Sequence, residues 1–394
     1  MTRASATPDH LVIGGGPAGS MLALRLAKAG SRVTLVEREP TAHHKVCGEF
    51  ISREAIHYLD QIGIDSLALG AEIIRTIRLS SGKRVVSASL PFQALSLSRR
   101  TLDEALLTRA AEKCTILRGH TVETLDVHAG IWTARLSSGK SLGASNVFLA
   151  TGKHDLRGFA RPAGRQGDLI GFKMHWRLAP AQIDALRQTM DLYLFPGGYG
   201  GLSLIEDNVA NLCLVVRRSV LHAHGAWPKL LTAIQAENEH LRRLLSGAQP
   251  LWPRPLAISP IPYGYLAAEP RSPWCIGDQA AVIPSFTGDG ISIALHSAAL
   301  AAEMFLASRS PADYHRTLSA QLHRSLNFAT ALSRAAVTAP GRAAALFAAS
   351  AFPHMMAMIA NSTRIPADAL LGIRGAHKSI RTPPGNCSAT PQPE

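Results

Sequence analysis

Cysteine is scarce in this chain and shows no pairing pattern. The five residues (Cys47, Cys114, Cys213, Cys275 and Cys387) are odd in number, scattered, and never spaced as CxxC. That spacing excludes a disulfide framework and a thiolate metal centre, and no metal site is expected. Acidic residues are the second shortage: 28 Asp and Glu stand against 41 Lys and Arg, a formal net charge of +13. The cations are spread as "SRR", "VRRS" and "LRRL" with few aromatics interleaved, which argues against nucleic acid as a partner. Such a field suits anionic small molecules, dinucleotides and carrier-bound acyl chains among them. Long apolar runs are nearly missing. No secretory pattern opens the sequence, so a reducing cytoplasm is the expected compartment. One stretch, Ala343–Ala360, is apolar for almost a membrane-spanning length, but Pro353 and His354 interrupt it. Two readings of it stay open: a buried helix pair, or a greasy lid with peripheral membrane contact. At 394 residues, 46% hydrophobic and 18% charged, the composition is that of one large globular domain or two interleaved ones.

What is present begins at the amino end. Leu11–Ile13 reads as a buried strand that stops at Gly14, and "PAGSMLALRLAKAG" follows with helical spacing and Gly30 as its cap. "RVTLVERE" is then a second strand, so the unit is strand, helix, strand, and its sheet is expected to be parallel. Gly14, Gly16 and Gly19 form G-x-G-x-x-G, with Pro17 and Ala18 between. The first glycine permits the turn, the second lets backbone approach a pyrophosphate, and the third lets helix pack on strand. Glu37, with Arg38 beside it, ends the second strand where a carboxylate can accept ribose hydroxyls. The turn therefore reads as the seat of a dinucleotide.

Further along, "RTIRLSSGKRVVSASL" reads as a hairpin about Ser81-Gly82, "RRTLDEALLTRAAEKC" as a helix, and residues 115–150 as a meander of short strands. A β-rich block spans about 169–217, with Pro-rich linkers at 249–262 and 268–273. "WCIGDQAAVIPSFTGDGISIALHSAALAAEMFLA" reads as strand, loop and long helix.

"GGGPAGSMLALRLAKAG" and "CIGDQAAVIPSFTGDGISIAL" together resemble the FAD-dependent enzymes related to p-hydroxybenzoate hydroxylase, a group of aromatic monooxygenases, flavin halogenases and geranylgeranyl reductases. The resemblance implies an α/β fold: a Rossmann-like FAD-binding domain of glutathione-reductase type, interleaved with a β-sheet substrate domain and followed by a helical C-terminus. Segments 1–72, 95–165 and 265–325 would form the FAD domain, 73–94 and 166–264 the substrate domain, 326–380 the C-terminal helices, and 381–394 a disordered tail. It further implies FAD contacts at Asp278, Pro284, Gly288, Asp289 and Gly290, at Arg99 for the diphosphate, and at Gly152 near the adenosine. Thr151-Gly152 stands where many hydroxylases carry Asp-Gly, so their NADPH use does not carry over; with no second G-x-G-x-x-G in the sequence, NAD(P)H is expected as a transient external reductant.

"HKVCGEFIS" resembles the geranylgeranyl reductases, which would bring Cys47, Gly48 and Glu49 close to the flavin ring, with Cys47 and Glu49 as the candidate chemical groups. The halogenase W-x-W-x-I-P segment is missing, and Ala281 replaces the usual hydroxylase histidine. In "GFKMHWRL" alternation puts Phe172, Met174 and Trp176 on one face and Lys173, His175 and Arg177 on the other. The apolar face, with Tyr193 and Tyr199, is expected to line a pocket for an apolar or aromatic substrate, lipid-tailed or carrier-bound. His175 reads as a solvated or core-satisfied histidine. The leading expectation is a monooxygenase that hydroxylates a phenolic or polyketide-derived molecule through a peroxyflavin. Alternatives are a C=C reductase of a prenyl or polyketide substrate, a halogenase, and a flavin-binding redox protein without turnover.

Overall fold

A computed structural model of the chain describes residues 9–267 and 273–372. The amino-terminal unit follows from close backbone packing. Strand His10–Ile13 is fully buried and runs into Gly14, whose φ is +108°. A Cβ there would lie 2.4 Å from the Ala150 carbonyl oxygen, and one at Gly19 would lie 1.9 Å from the Gly14 oxygen. Only glycine lets the helix Pro17–Lys28 cross the strand this closely. The chain then returns as Val33–Glu37, parallel to the first strand.

Five parallel strands form the resulting sheet, in the order Trp274–Cys275, Asn146–Leu149, His10–Ile13, Val33–Glu37, Thr115–Arg118. Helices Pro17–Lys28, Arg99–Ala111 and Gly290–Leu306 supply much of the core on one face, with Met21, Leu22, Leu106, Ile293 and Leu295 buried there. A three-stranded meander (Val122–His128, Ile131–Leu136, Ser141–Ala144) covers the other, where Leu125 and Leu136 meet Leu11 and Val36. Buried on both faces, the strands read as continuous apolar runs.

The second layer is a mixed nine-stranded sheet built from Phe50–Ile51, the hairpin Glu72–Ser81 and Arg84–Ser96, and the strands between Leu169 and Ile258. One face roofs the glycine turns of the first layer. The other carries its own core under three helices, Arg218–His224, Trp227–Glu237 and Glu239–Leu244. This helical layer escaped the sequence reading, although Leu230, Leu231, Ile234, Leu241 and Leu244 are spaced to bury one face.

Other differences concern boundaries. Phe50–Ile51 pairs with the roof sheet, and Gln249–Pro250 and Leu256–Ile258, read as linker, both pair with Leu169–Arg177. The division at 325/326 falls inside the continuous helix Pro311–Ala336. Segment 381–394 lies outside the described residues. The apolar stretch near the carboxyl end breaks at Phe352–Pro353 into helices Ala339–Ala351 and His354–Ser362. Among the described residues no single helix is long and apolar enough to cross a membrane.

Candidate functional site

Between the two layers lies a cavity of about 620 Å³, within the range of small-molecule and cofactor sites. One end is formed by the glycine turn. Glu37 is buried there; its Oε2 accepts the Gly15 N–H at 2.7 Å and its Oε1 the Glu39 N–H at 3.0 Å. Two backbone donors thus fix the carboxylate while its remaining lone pairs face the cavity wall. A Cβ at Gly16 would find the Arg99 guanidinium at 3.7 Å and the Lys45 ammonium at 4.0 Å. Both cations are locked by one carboxylate. Arg99 binds Asp103 through two bonds of 2.7 and 2.9 Å, and Lys45 binds the same group at 3.0 Å. Burial pushes the Asp103 carboxyl up, but Arg99 and Lys45 outweigh it and hold it below the usual range. The cluster keeps two positive charges beside a helix N-terminus, which is an anion site.

The other end gathers around Cys47-Gly48-Glu49. Glu49 is fully buried, with a φ of 61°. Its carboxylate receives the Arg99 N–H at 2.7 Å, the His175 Nε2 at 3.1 Å, and the ammonium of the equally buried Lys173. Burial alone would raise this carboxyl, yet Lys173 and His175 bring it below the ordinary value. His44 closes the group: its ring meets that of His175 at 4.8 Å and that of Trp252 at 4.9 Å. Burial, with Lys173 adding to it, brings His44 down to about 4, so its imidazole is neutral at pH 7. Cys47 sits on the cavity wall; its Sγ accepts the Glu49 N–H at 3.3 Å, and Arg99 reaches the same sulfur.

Most of the residues singled out in the sequence converge here. Gly14, Gly16, Pro17, Ala18, Glu37, Arg38, Cys47, Gly48, Glu49, Arg99, Gly152, Tyr199, Asp278, Gly288 and Gly290 all line the cavity. Gly19 lies behind it as the packing glycine, and Pro284 stands outside the lining.

Two expectations need correction. Phe172, Met174, Trp176 and Tyr193 do not line the cavity; they pack in the outer core under the helices at 218–244. Alternation correctly separates the two faces of the strand, but the apolar face is the one the helices cover. Lys173 and His175 point toward Glu49 instead, and of the two readings of His175 it is the core-satisfied one that the structure shows. Asp289 is buried and ion-paired at 2.7 Å with Arg364, outside the lining. Burial pushes its carboxyl up to about 6, with Arg364 pulling against that shift.

Several contributors were missed. Lys45 and Asp103 left one signal, the i, i+4 spacing of Arg99 and Asp103. Lys173 was assigned to the wrong side, and Arg364 left none.

The wall fits a flavin dinucleotide. A Cβ added at Gly48, Gly152 or Gly290 would meet nothing within 4 Å, so bare backbone borders the cavity at three separated points. The N-terminus of Gly290–Leu306 faces the end opposite the glycine turn, where a reduced ring's negative edge would be favoured.

Comparison with known proteins agrees. Residues 8–141 match the FAD binding domain family. The chain is 26% identical over 354 residues to the probable electron transfer flavoprotein-quinone oxidoreductase YdiS of Escherichia coli, covering 81% of each chain. It is 26% identical to the menaquinone reductase of Mycolicibacterium smegmatis over 78% of each. A flavoprotein/dehydrogenase from Cytophaga hutchinsonii superposes with a TM-score of 0.75 at 16% identity, covering 90% of this chain and 92% of that one. With its glycine turn, its roofed cavity and its matched FAD binding domain, the chain resembles the FAD-dependent oxidoreductases of the p-hydroxybenzoate hydroxylase-like superfamily.

Proposed function

We propose that the protein is a reductase that adds two electrons and two protons to a double bond or quinone ring of a hydrophobic, lipid-tailed molecule. The carrying observation is the split character of the cavity. Its floor is polar backbone and fixed cations, while its roof is Ile77, Leu90, Leu192, Ile258, Met356 and Ile359. An aliphatic tail buried against such a roof gains about 25 cal/mol per Å² removed from water. Apolar walls suit hydroxylation as well as reduction. The named oxidoreductase and menaquinone reductase, each matched over three quarters or more of both chains, favour reduction over the hydroxylation that the sequence ranks first.

In this reading FAD supplies the two-electron chemistry, recharged by an external reductant such as NAD(P)H. Gly14, Gly16 and Glu37 hold its adenosine side, Arg99 and Lys45 its diphosphate, and the turn before Gly290 its ring edge. Glu49, fixed by Arg99, Lys173 and His175, positions the Cys47 loop rather than exchanging protons. The Cys47 thiol, on the wall, donates a proton to the substrate atom opposite the one that accepts hydride. The sheet and C-terminal helices exclude water from that step.

The test is anaerobic. FAD-loaded protein reduced by NAD(P)H is mixed with a short-tailed menaquinone or a prenyl alkene. Return of the yellow colour without oxygen, with a product two hydrogens heavier, supports reduction. Colour that returns only with oxygen, with an oxygen atom in the product, overturns it in favour of hydroxylation.

A further inference from the structure

We propose that the helix pair Ala339–Ala351 and His354–Ser362 docks the protein on the surface of an anionic lipid bilayer. The chain bends by 118° between them, so they form an elbow rather than a straight span. Each is two-faced. Leu346, Ala349, Met356 and Ala360 are buried, and Met356 and Ala360 belong to the cavity wall. The opposite side leaves Phe347, Phe352 and Met358 at 67%, 50% and 60% exposure. Three large apolar side chains this exposed, carried on one elbow, are not a pattern of scattered surface residues.

Charge identifies the occupant. Between Asp313 and Asp368 the sequence has no Asp or Glu, whereas Arg324, Arg334 and Arg342 fall there, beyond Arg316, which pairs with Asp313. Arg324 and Arg334 are exposed. Apolar side chains on an elbow next to a helix whose exposed Arg324 and Arg334 have no acid in the rest of its length match the interface of an anionic membrane, where each nearby Arg adds about 1 kcal/mol. A second copy of this chain is a poor occupant, since it would bring the same uncompensated arginines face to face.

The helices that would touch lipid are also a wall of the cavity. Given the reductase reading above, a tailed substrate passes from the bilayer along the elbow without crossing water. Docking itself stands on exposure and charge alone.

FAD-loaded full-length protein is sedimented with vesicles of phosphatidylcholine, with or without phosphatidylglycerol, in the absence of reductant and substrate. The wild type should bind the phosphatidylglycerol vesicles and lose that binding at high salt. Phe347→Ser/Phe352→Ser/Met358→Ser should bind at least about tenfold more weakly while keeping its flavin. Arg324→Glu/Arg334→Glu, confined to exposed positions, should lose the preference for phosphatidylglycerol. Absence of wild-type binding, or unchanged binding by both variants, overturns the proposal. So does a wild-type dimer that the serine substitutions dissociate. Turnover of a water-soluble short-tailed quinone should be unchanged in the serine variant; absence of quinone turnover in every form would count against the reductase reading and leave docking standing.

Discussion

Replacing Glu49 by Gln removes one negative charge from a place with no water. The remaining amide can still accept the Arg99 N–H, but Lys173, fully buried, is left without a counter-charge. Breaking a buried pair from one side costs about 3–5 kcal/mol. The variant should therefore lose about 3–5 kcal/mol at pH 7. The Glu49 carboxyl lies below its unfolded value, so its contribution is present above the unfolded pKa and is lost as pH falls through the folded one. The deficit should therefore shrink in acid. Urea unfolding of wild type, Glu49→Gln, Lys173→Met and the double variant measures it, and the double variant should recover most of the loss. A single-variant deficit under about 1 kcal/mol, or one that ignores pH, would refute the buried-pair reasoning.

Gly14→Ala and Gly16→Ala should part company. The first forces a Cβ to 2.4 Å of the Ala150 oxygen and should yield colourless, destabilised protein, whereas the second meets nothing closer than 3.7 Å and should fold normally yet bind FAD at least about tenfold more weakly. Equilibrium dialysis against FAD and thermal melts distinguish the two outcomes. Arg364→Gln leaves Asp289 buried without its counter-ion. Because that carboxyl already stands near 6, above its unfolded value, its ionisation opposes folding as pH rises through that region. The variant's melting deficit should accordingly be larger at pH 8 than at pH 5, and a deficit equal at both would refute the pairing. Cys47→Ala should retain its flavin but lose turnover about a hundredfold, the lower end for a general acid; full turnover would remove the thiol from the mechanism.

The glycines were the most readable part of the molecule, because φ/ψ and close approach leave few alternatives at such positions. Gly14 and Gly19 announced both a turn and a helix crossing before any contact was known. Spacing also delivered Glu37, whose place at a strand end is fixed by the length of one strand-helix-strand unit. The roof was harder. Alternation in Leu169–Arg177 separates Phe172, Met174 and Trp176 from Lys173 and His175, but period alone does not say which face meets a ligand and which meets a helix. That decision rests with Trp227–Glu237, some 50 residues away. Arg364 was illegible for a related reason: its partner Asp289 sits in a distant turn, and an isolated arginine carries no mark of the acid it will meet.

The bond between Arg364 and Asp289 has a practical corollary. It ties the last stretch of the described polypeptide to the loop just ahead of Gly290, so a nick or fusion close behind the elbow should be felt as altered colour retention well away from the cut. Expression designs that trim the carboxyl end ought to stop beyond that arginine, and yellow yield after gel filtration offers a simple gauge of whether the clasp survived.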